Sequence, residues 1–248
     1  MGKEAKSKIV IVQARYGSTR LRGKILKNIS GKPILWHVIN RLSYSKMIDK
    51  IVVATTTGPE DDKTEQFCID NDISYYRGDV NNVLSRYYET AKKFRADIII
   101  RITSDCPLID PVILDKMIEQ FLSFTEPIDY FSNVIQRTFP RGLDIEIFSF
   151  EALEKAFTEA KTDFDREHVT PYFYNNPGIF KIKNYQNDID YSFHRWTVDT
   201  EEDFRLIEEI YRSLYQPDKL FLFEETLNLF ETNPDLIKIN QHIKQKLN

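Results

Sequence analysis

Short runs of aliphatic and β-branched residues alternate with helix-like patterns through the first half of the chain. The run at residues 8–12 is almost entirely apolar, which is typical of a strand buried on both faces of a sheet. Similar runs predict strands at residues 8–12, 51–54, 73–76 and 97–102. Apolar residues at helical spacing predict helices at about residues 33–42, 60–70, 80–94 and 111–122. Asp110 is expected to cap the last of these helices, with Pro111 as its first residue.

This alternation of strands and helices predicts the α/β fold class, with a mostly parallel central sheet and flanking helices. Ligands of such sheets bind beyond the carboxyl ends of the strands. We therefore expect ligand-binding residues in the segments that follow Val12, Val53, Tyr76 and Ile102.

The second half of the chain has a less regular pattern. An alternating run at residues 143–147 predicts a half-buried strand, and Ser149 is expected to cap a helix at about residues 150–160. Thr200 begins a capping-box pattern before a further helix. After Pro234, apolar residues at helical spacing predict a tail helix that either docks on the body or forms a dimer contact. These tail positions are Leu236, Ile239, Ile243 and Leu247.

Composition narrows the classes of function. The 248 residues include 34 Lys and Arg against 38 Asp and Glu, a net charge of −4, which argues against a broad basic face for nucleic acid. Cys68 and Cys106 are too few for a disulfide framework or a zinc cluster. The chain has a polar start and no apolar run near the ~18 residues of a membrane helix, so we expect a cytoplasmic protein without membrane contact.

The segment after the first strand carries the clearest candidate chemistry. Residues 13–24 read QARYGSTRLRGK, and their positive side chains are Arg15, Arg20, Arg22 and Lys24. Gly17 and Gly23 let the backbone approach a ligand closely, and Ser18 and Thr19 add hydroxyl groups. At the carboxyl end of a strand, such a loop can wrap a triphosphate with charge-assisted hydrogen bonds. A solvated basic loop is the alternative interpretation.

Together with residues 31–35, GKPIL, this loop resembles the signature of the acylneuraminate cytidylyltransferase-like superfamily, and within it the spore coat polysaccharide biosynthesis type of cytidylyltransferase. The other matching motifs are RGD at 77–79, RITSDCPL at 101–108, RGLD at 141–144, EHVTP at 167–171 and WTVDT at 196–200. The resemblance spans about residues 8–210 and implies a Rossmann-like nucleotide-diphospho-sugar transferase fold. One departure is Arg22, where relatives often have Pro; this arginine could contact a phosphate or face solvent.

The resemblance implies transfer of CMP from CTP to a small acceptor, with Mg²⁺ as cofactor and release of pyrophosphate, in surface polysaccharide or glycan biosynthesis. It assigns catalytic roles to Arg15, Lys24 and Asp105, and it makes Asp105 and Asp199 the Mg²⁺ ligands. Either aspartate could instead cap a helix or turn. The expected nucleotide-binding residues are Ala14, Arg15, Gly17, Ser18, Thr19, Arg20, Lys24, Thr55, Arg77, Thr103 and Ser104. Arg77 would help to read cytosine, or would form a surface salt bridge.

We expect residues 1–248 to form a single nucleotidyltransferase domain, because no linker or internal repeat interrupts the pattern. Its nucleotide-binding half would cover about residues 8–125, its acceptor-binding half about 126–215 and its helical tail about 216–248. The expected acceptor-binding residues are Arg141, Asp144, Glu146, Arg166, Glu167 and His168. The two arginines could clamp a carboxylate or a phosphate, so the acceptor is an acidic sugar or a sugar or polyol phosphate. His168 could serve as an acid–base group or have a structural role.

Two rival functions stay open from the residues alone. A nucleotide-sugar glycosyltransferase of the same fold usually holds its metal with an Asp-x-Asp pair, whereas residues 103–105 offer one carboxylate. A non-catalytic nucleotide-binding subunit of a polysaccharide assembly complex would have little need to keep Arg15, Lys24 and Asp105 together. The chain could also form a homodimer, as relatives often do.

Overall fold

The computed structural model describes residues 6–18 and 20–245. The strands of these residues are β1 (Lys8–Gln13), β2 (Asn28–Ile29), β3 (Lys32–Pro33), β4 (Lys50–Thr56), β5 (Tyr75–Gly78), β6 (Ile98–Thr103), β7 (Tyr130–Ser132), β8 (Glu146–Ser149) and β9 (Ile182–Asn184). The helices are α1 (Ile34–Leu42), α2 (Asp62–Asp70), α3 (Val83–Phe94), α4 (Pro111–Ser123), α5 (Phe150–Glu159), α6 (Asp163–His168), α7 (Pro171–Tyr174), α8 (Glu201–Leu214) and α9 (Phe223–Thr232). Short 3-10 helices cover Lys24–Leu26, Pro59–Asp61 and Pro234–Ile239.

The main sheet has the strand order β5-β4-β1-β6-β8-β7-β9. Strands β5, β4, β1 and β6 run parallel, β8 is antiparallel to both β6 and β7, and β9 is parallel to β7. A separate antiparallel pair joins β2 and β3. The α/β class and the mostly parallel central sheet are therefore confirmed, and the antiparallel pairings come from the half of the chain with the irregular pattern.

Strand β1 is buried on both faces, as its apolar run predicts. Its successive side chains point to opposite sides of the sheet and enter two different apolar cores. Val10 and Val12 pack in a core that includes α1, whereas Ile9 and Ile11 pack in a core that includes α3 and α5. All four side chains are at most 3% exposed. The strand therefore forms a rigid base for the loop that follows it.

The order in which the strands are used locates the expected ligand crevice. From β1 the chain moves to β4 and β5 on one side, and it then returns to β6 on the other side of β1. Gln13, at the end of β1, is in register with Thr103 at the end of β6. The loops that leave these two strands diverge at this switch point and leave a crevice between them.

The predicted helix caps are also confirmed. The Asp110 carboxylate accepts hydrogen bonds from the backbone amides of Val112 and Ile113, at 2.8 and 3.1 Å, at the start of α4. The Ser149 hydroxyl accepts one from the amide of Ala152 and caps α5. Thr200 begins the capping box of α8.

The strand predicted at residues 143–147 is shifted along the chain, because β8 covers Glu146–Ser149. The side chain of Asn133 donates to the carbonyl of Leu143 and accepts from the amide of Ile145, at 2.7 and 2.9 Å. The Asn133 side chain thus makes the hydrogen bonds to Leu143 and Ile145 that the backbone of a neighbouring strand would otherwise make. Residues before Glu146 therefore belong to a loop.

The helix predicted for the tail is wrong over most of its length. A 3-10 helix covers Pro234–Ile239, and Ile243 lies beyond it, outside any helix. Asn240 ends this helix, because its buried side chain donates to the carbonyl of Arg195 and to Asp203, at 2.8 and 2.9 Å. Leu247 lies outside the described residues. Helix α9 lies within the expected helical tail of about residues 216–248, at a position where the apolar pattern specified no helix. None of the helices formed by residues 6–18 and 20–245 has both the length and the apolar character needed to span a membrane.

Gly142 makes the closest backbone approach of the loop before β8. Its φ is 108°, and an added Cβ would lie 2.6 Å from the carbonyl carbon and oxygen of Trp196. We expect Gly142→Ala to lower the free energy of unfolding by roughly 2 kcal/mol or more, because the strained backbone and the backbone clash add together. Denaturant unfolding at equilibrium measures this loss.

The matched control is Gly178→Ala. No heavy atom lies within 4 Å of the position of its added Cβ, and its φ is outside the positive range. We expect a change within about 1 kcal/mol for this control. Equal destabilisation of the two variants would contradict the assignment.

Candidate active site

The loop after β1 is anchored to its neighbours by its backbone. The amide of Ala14 donates to the carbonyl of Ala54 at the end of β4, and the amide of Tyr16 donates to the Asp61 carboxylate at 2.7 Å. Gly23 has a φ of 69°, and an added Cβ would lie 2.7 Å from the Tyr16 ring. The loop thus needs glycine at this position to bring Lys24 back toward the sheet.

Lys24 lies at the centre of the site and is only 8% exposed. Its Nζ atom donates to Asp105 Oδ2 at 2.7 Å, to Asp199 Oδ1 at 2.8 Å and to the Val198 carbonyl at 2.7 Å. Burial alone would lower the pKa of Lys24, but the two carboxylates raise it above its ordinary value. Burial alone would likewise raise the pKa of Asp105, and the Lys24 ammonium instead holds it below its ordinary value. Lys24 and Asp105 therefore carry opposite charges at neutral pH.

Asp199 is held by three positive side chains. Besides Lys24, its second oxygen accepts from Arg20 at 2.8 Å and from Arg195 at 2.9 Å. Arg195 also forms a two-point ion pair with the fully buried Asp203, at 2.8 and 2.9 Å. Asp203 in turn accepts from the backbone amide of Asp199 at 3.0 Å. The start of α8 therefore fixes the position of the Asp199 carboxylate.

A cleft of about 430 Å³, called the first cleft below, opens over this group of charges at the β1–β6 switch point. The predicted nucleotide and metal residues that line it are Arg15, Ser18, Arg20, Lys24, Thr103, Ser104, Asp105 and Asp199. Glu167 and His168, predicted for the acceptor, line it as well. Arg15 is exposed and makes no hydrogen bond or ion pair with another described residue.

Of the other predicted nucleotide-binding residues, four do not line the first cleft, namely Ala14, Gly17, Thr55 and Arg77. Ala14 and Thr55 are buried, at 1% and 0% exposure, and Gly17 lies beside Glu60. Arg77 donates to the carbonyls of Thr56 and Gly58 and pairs with two acidic side chains of α2. Arg77 therefore forms salt bridges, and its role in reading cytosine stays a prediction. Thr19 lies outside the described residues.

A second cleft, of about 460 Å³, adjoins the first. Of the predicted acceptor residues, Arg141, Asp144, Glu146 and His168 line it, whereas Arg166 lines neither cleft. The Asp144 carboxylate accepts from both terminal nitrogens of Arg137, at 2.6 and 2.8 Å. Glu146 pairs with Arg101 and accepts from the hydroxyl of Tyr130 at 2.6 Å.

Arg141 differs from its neighbours in the second cleft. Its guanidinium makes no hydrogen bond or ion pair with another residue in the described part of the chain. Burial lowers the pKa of Arg141, and the nearby positive charge of Arg137 lowers it further. A partly buried cation beside a second cation is stabilised by an anion. The second cleft therefore offers a ready partner for a negatively charged group.

The carboxylates of the first cleft could supply some of the ligands of a metal ion, and other molecules would have to supply the rest. Among the described residues, no cluster of three or more His, Cys, Asp or Glu side chains is arranged to bind an ion without outside ligands. Asp105 and Asp199 nevertheless meet on Lys24 and offer oxygen ligands. This donor set fits Mg²⁺, which takes one or two protein carboxylates and completes its shell with water and phosphate oxygens.

Comparison with known proteins identifies the family of the chain. The model of the cytidylyltransferase family matches residues 9–242, so the chain belongs to this family. The spore coat polysaccharide biosynthesis protein SpsF of Bacillus subtilis is 31% identical over 235 residues, which cover 92% of this chain and 95% of that protein. The predicted resemblance and the prediction of a nucleotidyltransferase are thereby confirmed.

Two solved structures are similar to the chain. A cytidylyltransferase from Leptospira borgpetersenii has a TM-score of 0.91 and 38% identity, covering 97% of this chain and 100% of that one. The CMP:2-keto-3-deoxy-manno-octonic acid synthetase complexed with CTP has a TM-score of 0.65 and 19% identity, covering 84% of this chain and 99% of that one. The latter shows a shared fold.

Three residues that sequence reasoning missed have clear positions in the site. Gln13 lines the first cleft at the end of β1, and Arg137 pairs with Asp144 in the second cleft. Arg195 contacts Asp199 directly and also pairs with Asp203. Gln13 is the first residue of the loop motif, and Arg195 directly precedes the WTVDT motif. Both could therefore have been predicted as site residues from their position in or beside a motif. Arg137 lies outside every motif.

The Arg137–Asp144 pair predicts a pH dependence of stability. Burial would raise the pKa of Asp144, but Arg137 holds it below its ordinary value. The unfolded chain therefore binds a proton at this carboxyl at a higher pH than the folded chain does. The stabilisation is present above the ordinary aspartate pKa of about 4 and is lost as the pH falls through the folded value.

We therefore expect the difference in unfolding free energy between wild type and Asp144→Asn to shrink as the pH falls from about 7 to about 3. Urea unfolding at each pH measures it. Asp218→Asn is the control, because Asp218 is exposed and we expect almost no difference at any pH. A difference for Asp144→Asn that is constant with pH would contradict the prediction.

Proposed function

We propose that the protein transfers CMP from CTP to a small anionic sugar-like acceptor and releases pyrophosphate. The observation that carries this proposal is the adjacency of two unlike clefts. The first gathers Arg15, Arg20 and Lys24 against Asp105 and Asp199. The second presents the unpaired cation Arg141. A triphosphate in the first cleft and an acidic acceptor in the second would meet at the shared boundary.

The first cleft suits a triphosphate because three cations line it, and one of them, Arg15, is available to a ligand. Arg15 has no protein partner among the described residues, and Ser18 adds a hydroxyl group. Arg20 and Lys24 contact Asp199 in the structure and are placed to share their donors with phosphate oxygens. These side chains would hold the β- and γ-phosphates and stabilise the charge that develops on pyrophosphate. Selection of CTP over other triphosphates rests on family membership.

We propose Asp105 and Asp199 as the protein ligands of Mg²⁺. When bound, the ion would neutralise phosphate charge and polarise the phosphorus toward attack. Lys24 would keep both carboxylates ionised and oriented, since its ammonium contacts each of them. Arg195 and Asp203 would hold Asp199 in place from behind.

On the acceptor side, Arg141 would bind the carboxylate or phosphate of the acceptor. Asp144 and Glu146 would accept hydrogen bonds from its hydroxyl groups, although each is already paired with an arginine. The similar synthetase named above acts on a keto-sugar acid, and SpsF is named for a polysaccharide pathway. Both names favour an acidic sugar and a role in surface polysaccharide or glycan biosynthesis. Use of CTP favours a cytoplasmic location.

The reaction we propose is direct in-line attack by an acceptor oxygen on the α-phosphorus of CTP. Such a transfer depends on positioning and electrostatic stabilisation more than on a protein nucleophile. Cys106, next to Asp105, is buried, and this burial raises the pKa of its thiol well above the ordinary value. It is therefore a poor nucleophile and packs beneath the site.

The first test measures pyrophosphate release with each of the four nucleoside triphosphates, with and without Mg²⁺, against acidic sugars and sugar phosphates. We expect release with CTP and at least one acidic acceptor. Asp105→Asn should lower kcat by about 10²-fold or more, since a group that stabilises developing charge is removed. Asp218→Asn, exposed and outside both clefts, should leave kcat unchanged. Release with a different triphosphate alone would overturn the cytosine assignment.

The acceptor assignment predicts a selective defect in Arg141→Ala. We expect the acceptor KM to rise about 10- to 100-fold, the effect of losing a charged hydrogen bond, with the affinity for CTP little changed. Steady-state kinetics and calorimetry with CTP measure the two quantities. Arg212→Ala removes an exposed arginine of α8 and serves as the control. An Arg141→Ala enzyme with a normal acceptor KM would show that the acceptor binds elsewhere.

A further inference from the structure

The two clefts share two of their lining residues, Thr103 and His168. Thr103 comes from the end of β6, and His168 is the last residue of α6. Their shared position marks the boundary between the triphosphate side and the acceptor side. In the proposed reaction, the new bond between the acceptor oxygen and the α-phosphorus forms at this boundary.

The backbone directly after His168 is strained. Val169 has φ 68° and ψ −66°, a conformation that β-branched residues rarely adopt. The amide of Thr170 donates to the carbonyl of His168 at 2.8 Å, which closes a tight γ-turn. The Val169 side chain is fully buried in the core that includes α3 and α5. Strain of this kind persists where the surrounding structure enforces it, and it clusters at functional sites.

An acceptor hydroxyl must lose its proton as it attacks phosphorus, so the boundary needs a base. Four of the five carboxylates that line the clefts are already engaged. Asp105 and Asp199 contact Lys24, Asp144 pairs with Arg137, and Glu146 pairs with Arg101. The positive partners lower the pKa of Asp105 and of Asp144 and make these two carboxylates weaker bases. The other two are occupied by their ion pairs.

We propose that His168 is the general base of the transfer, an inference that rests on the proposed function. A ring nitrogen of His168 takes the proton of the acceptor hydroxyl while the acceptor oxygen forms its bond to the α-phosphorus. The bond between the α-phosphorus and the bridging oxygen to the β-phosphate breaks, and its electron pair leaves with pyrophosphate. The proton then passes from the imidazole to solvent, which restores the neutral ring.

Imidazole is suited to this step because its ordinary pKa lies nearest to neutrality among the side chains. Thr103, the other shared residue, has a hydroxyl that cannot serve as a base at this pH. The negative groups that line the clefts with His168 are Asp105, Asp144, Glu146, Glu167 and Asp199. The positive groups are Arg15, Arg20, Lys24, Arg101, Arg137 and Arg141. Glu167 lines only the first cleft, where it would face the triphosphate rather than the acceptor.

The test compares the pH dependence of kcat for wild type, His168→Gln and His242→Gln, with CTP and the acceptor found for the wild type. His242 is exposed and lines neither cleft, so it is a matched control. We expect His168→Gln to lower kcat by about 10²-fold or more. The acidic limb of the wild-type profile, where protonation of the imidazole removes the base, should disappear in this variant. The control should keep both the rate and the limb.

Calorimetry with CTP shows whether each variant keeps a folded nucleotide site. If His168→Gln binds CTP normally and keeps kcat within about threefold of wild type, the assignment is overturned. Persistence of the acidic limb in His168→Gln would overturn it as well. A rise in acceptor KM at unchanged kcat would also overturn it, because His168 would then bind rather than react. A wild type that releases no pyrophosphate with any acceptor would instead overturn the proposed function, and the base role with it.

Discussion

The contact of the Lys24 ammonium with Asp105 and Asp199 is the interaction on which the site depends. It joins the loop after β1, the loop after β6 and the segment before α8. Removing the ammonium would leave two carboxylates close together with little water around them, which is costly. The buried side chains of Arg195 and Asp203 hold Asp199 in position. Charge balance, more than shape, therefore determines where the cleft residues lie.

The sequence alone was sufficient for the parts of the fold that rest on local patterns. The apolar run of β1, the caps at Asp110 and Ser149 and the capping box at Thr200 each depend on neighbouring residues, so periodicity and spacing predict them. The loop at residues 142–145 and the tail depend on Asn133 and Asn240, whose side chains bond to distant backbone. Such long-range contacts leave no periodic signal, and both predictions failed there.

In the candidate site as well, sequence position predicts some residues correctly and fails to predict where other side chains point. Sequence position predicted the part of the first cleft that lies at the ends of β1 and β6, because the ends of parallel strands meet at one edge of the sheet. Asp199 lies before α8 instead, and only the family resemblance predicted it. Arg77 also follows a strand, yet its guanidinium turns toward α2, where Asp62 and Glu65 lie. The direction of a side chain at the end of a strand follows from the pleat and from charges contributed by other elements. Sequence position did not contain that information, and the same limit applies to Arg137 and Arg166.

The three residues of the central contact are far apart along the chain, since Lys24 lies 81 residues before Asp105 and 175 before Asp199. Neither the first half of the chain nor the second can therefore assemble the charged centre alone. Bringing such distant segments together costs loop-closure entropy, which the contacts of the charged centre must offset. During synthesis, the positively charged loop is made long before its last carboxylate partner. The enzyme would become competent only once Asp199 has been made and has folded against the loop after β1, so catalytic competence is itself a report of long-range folding.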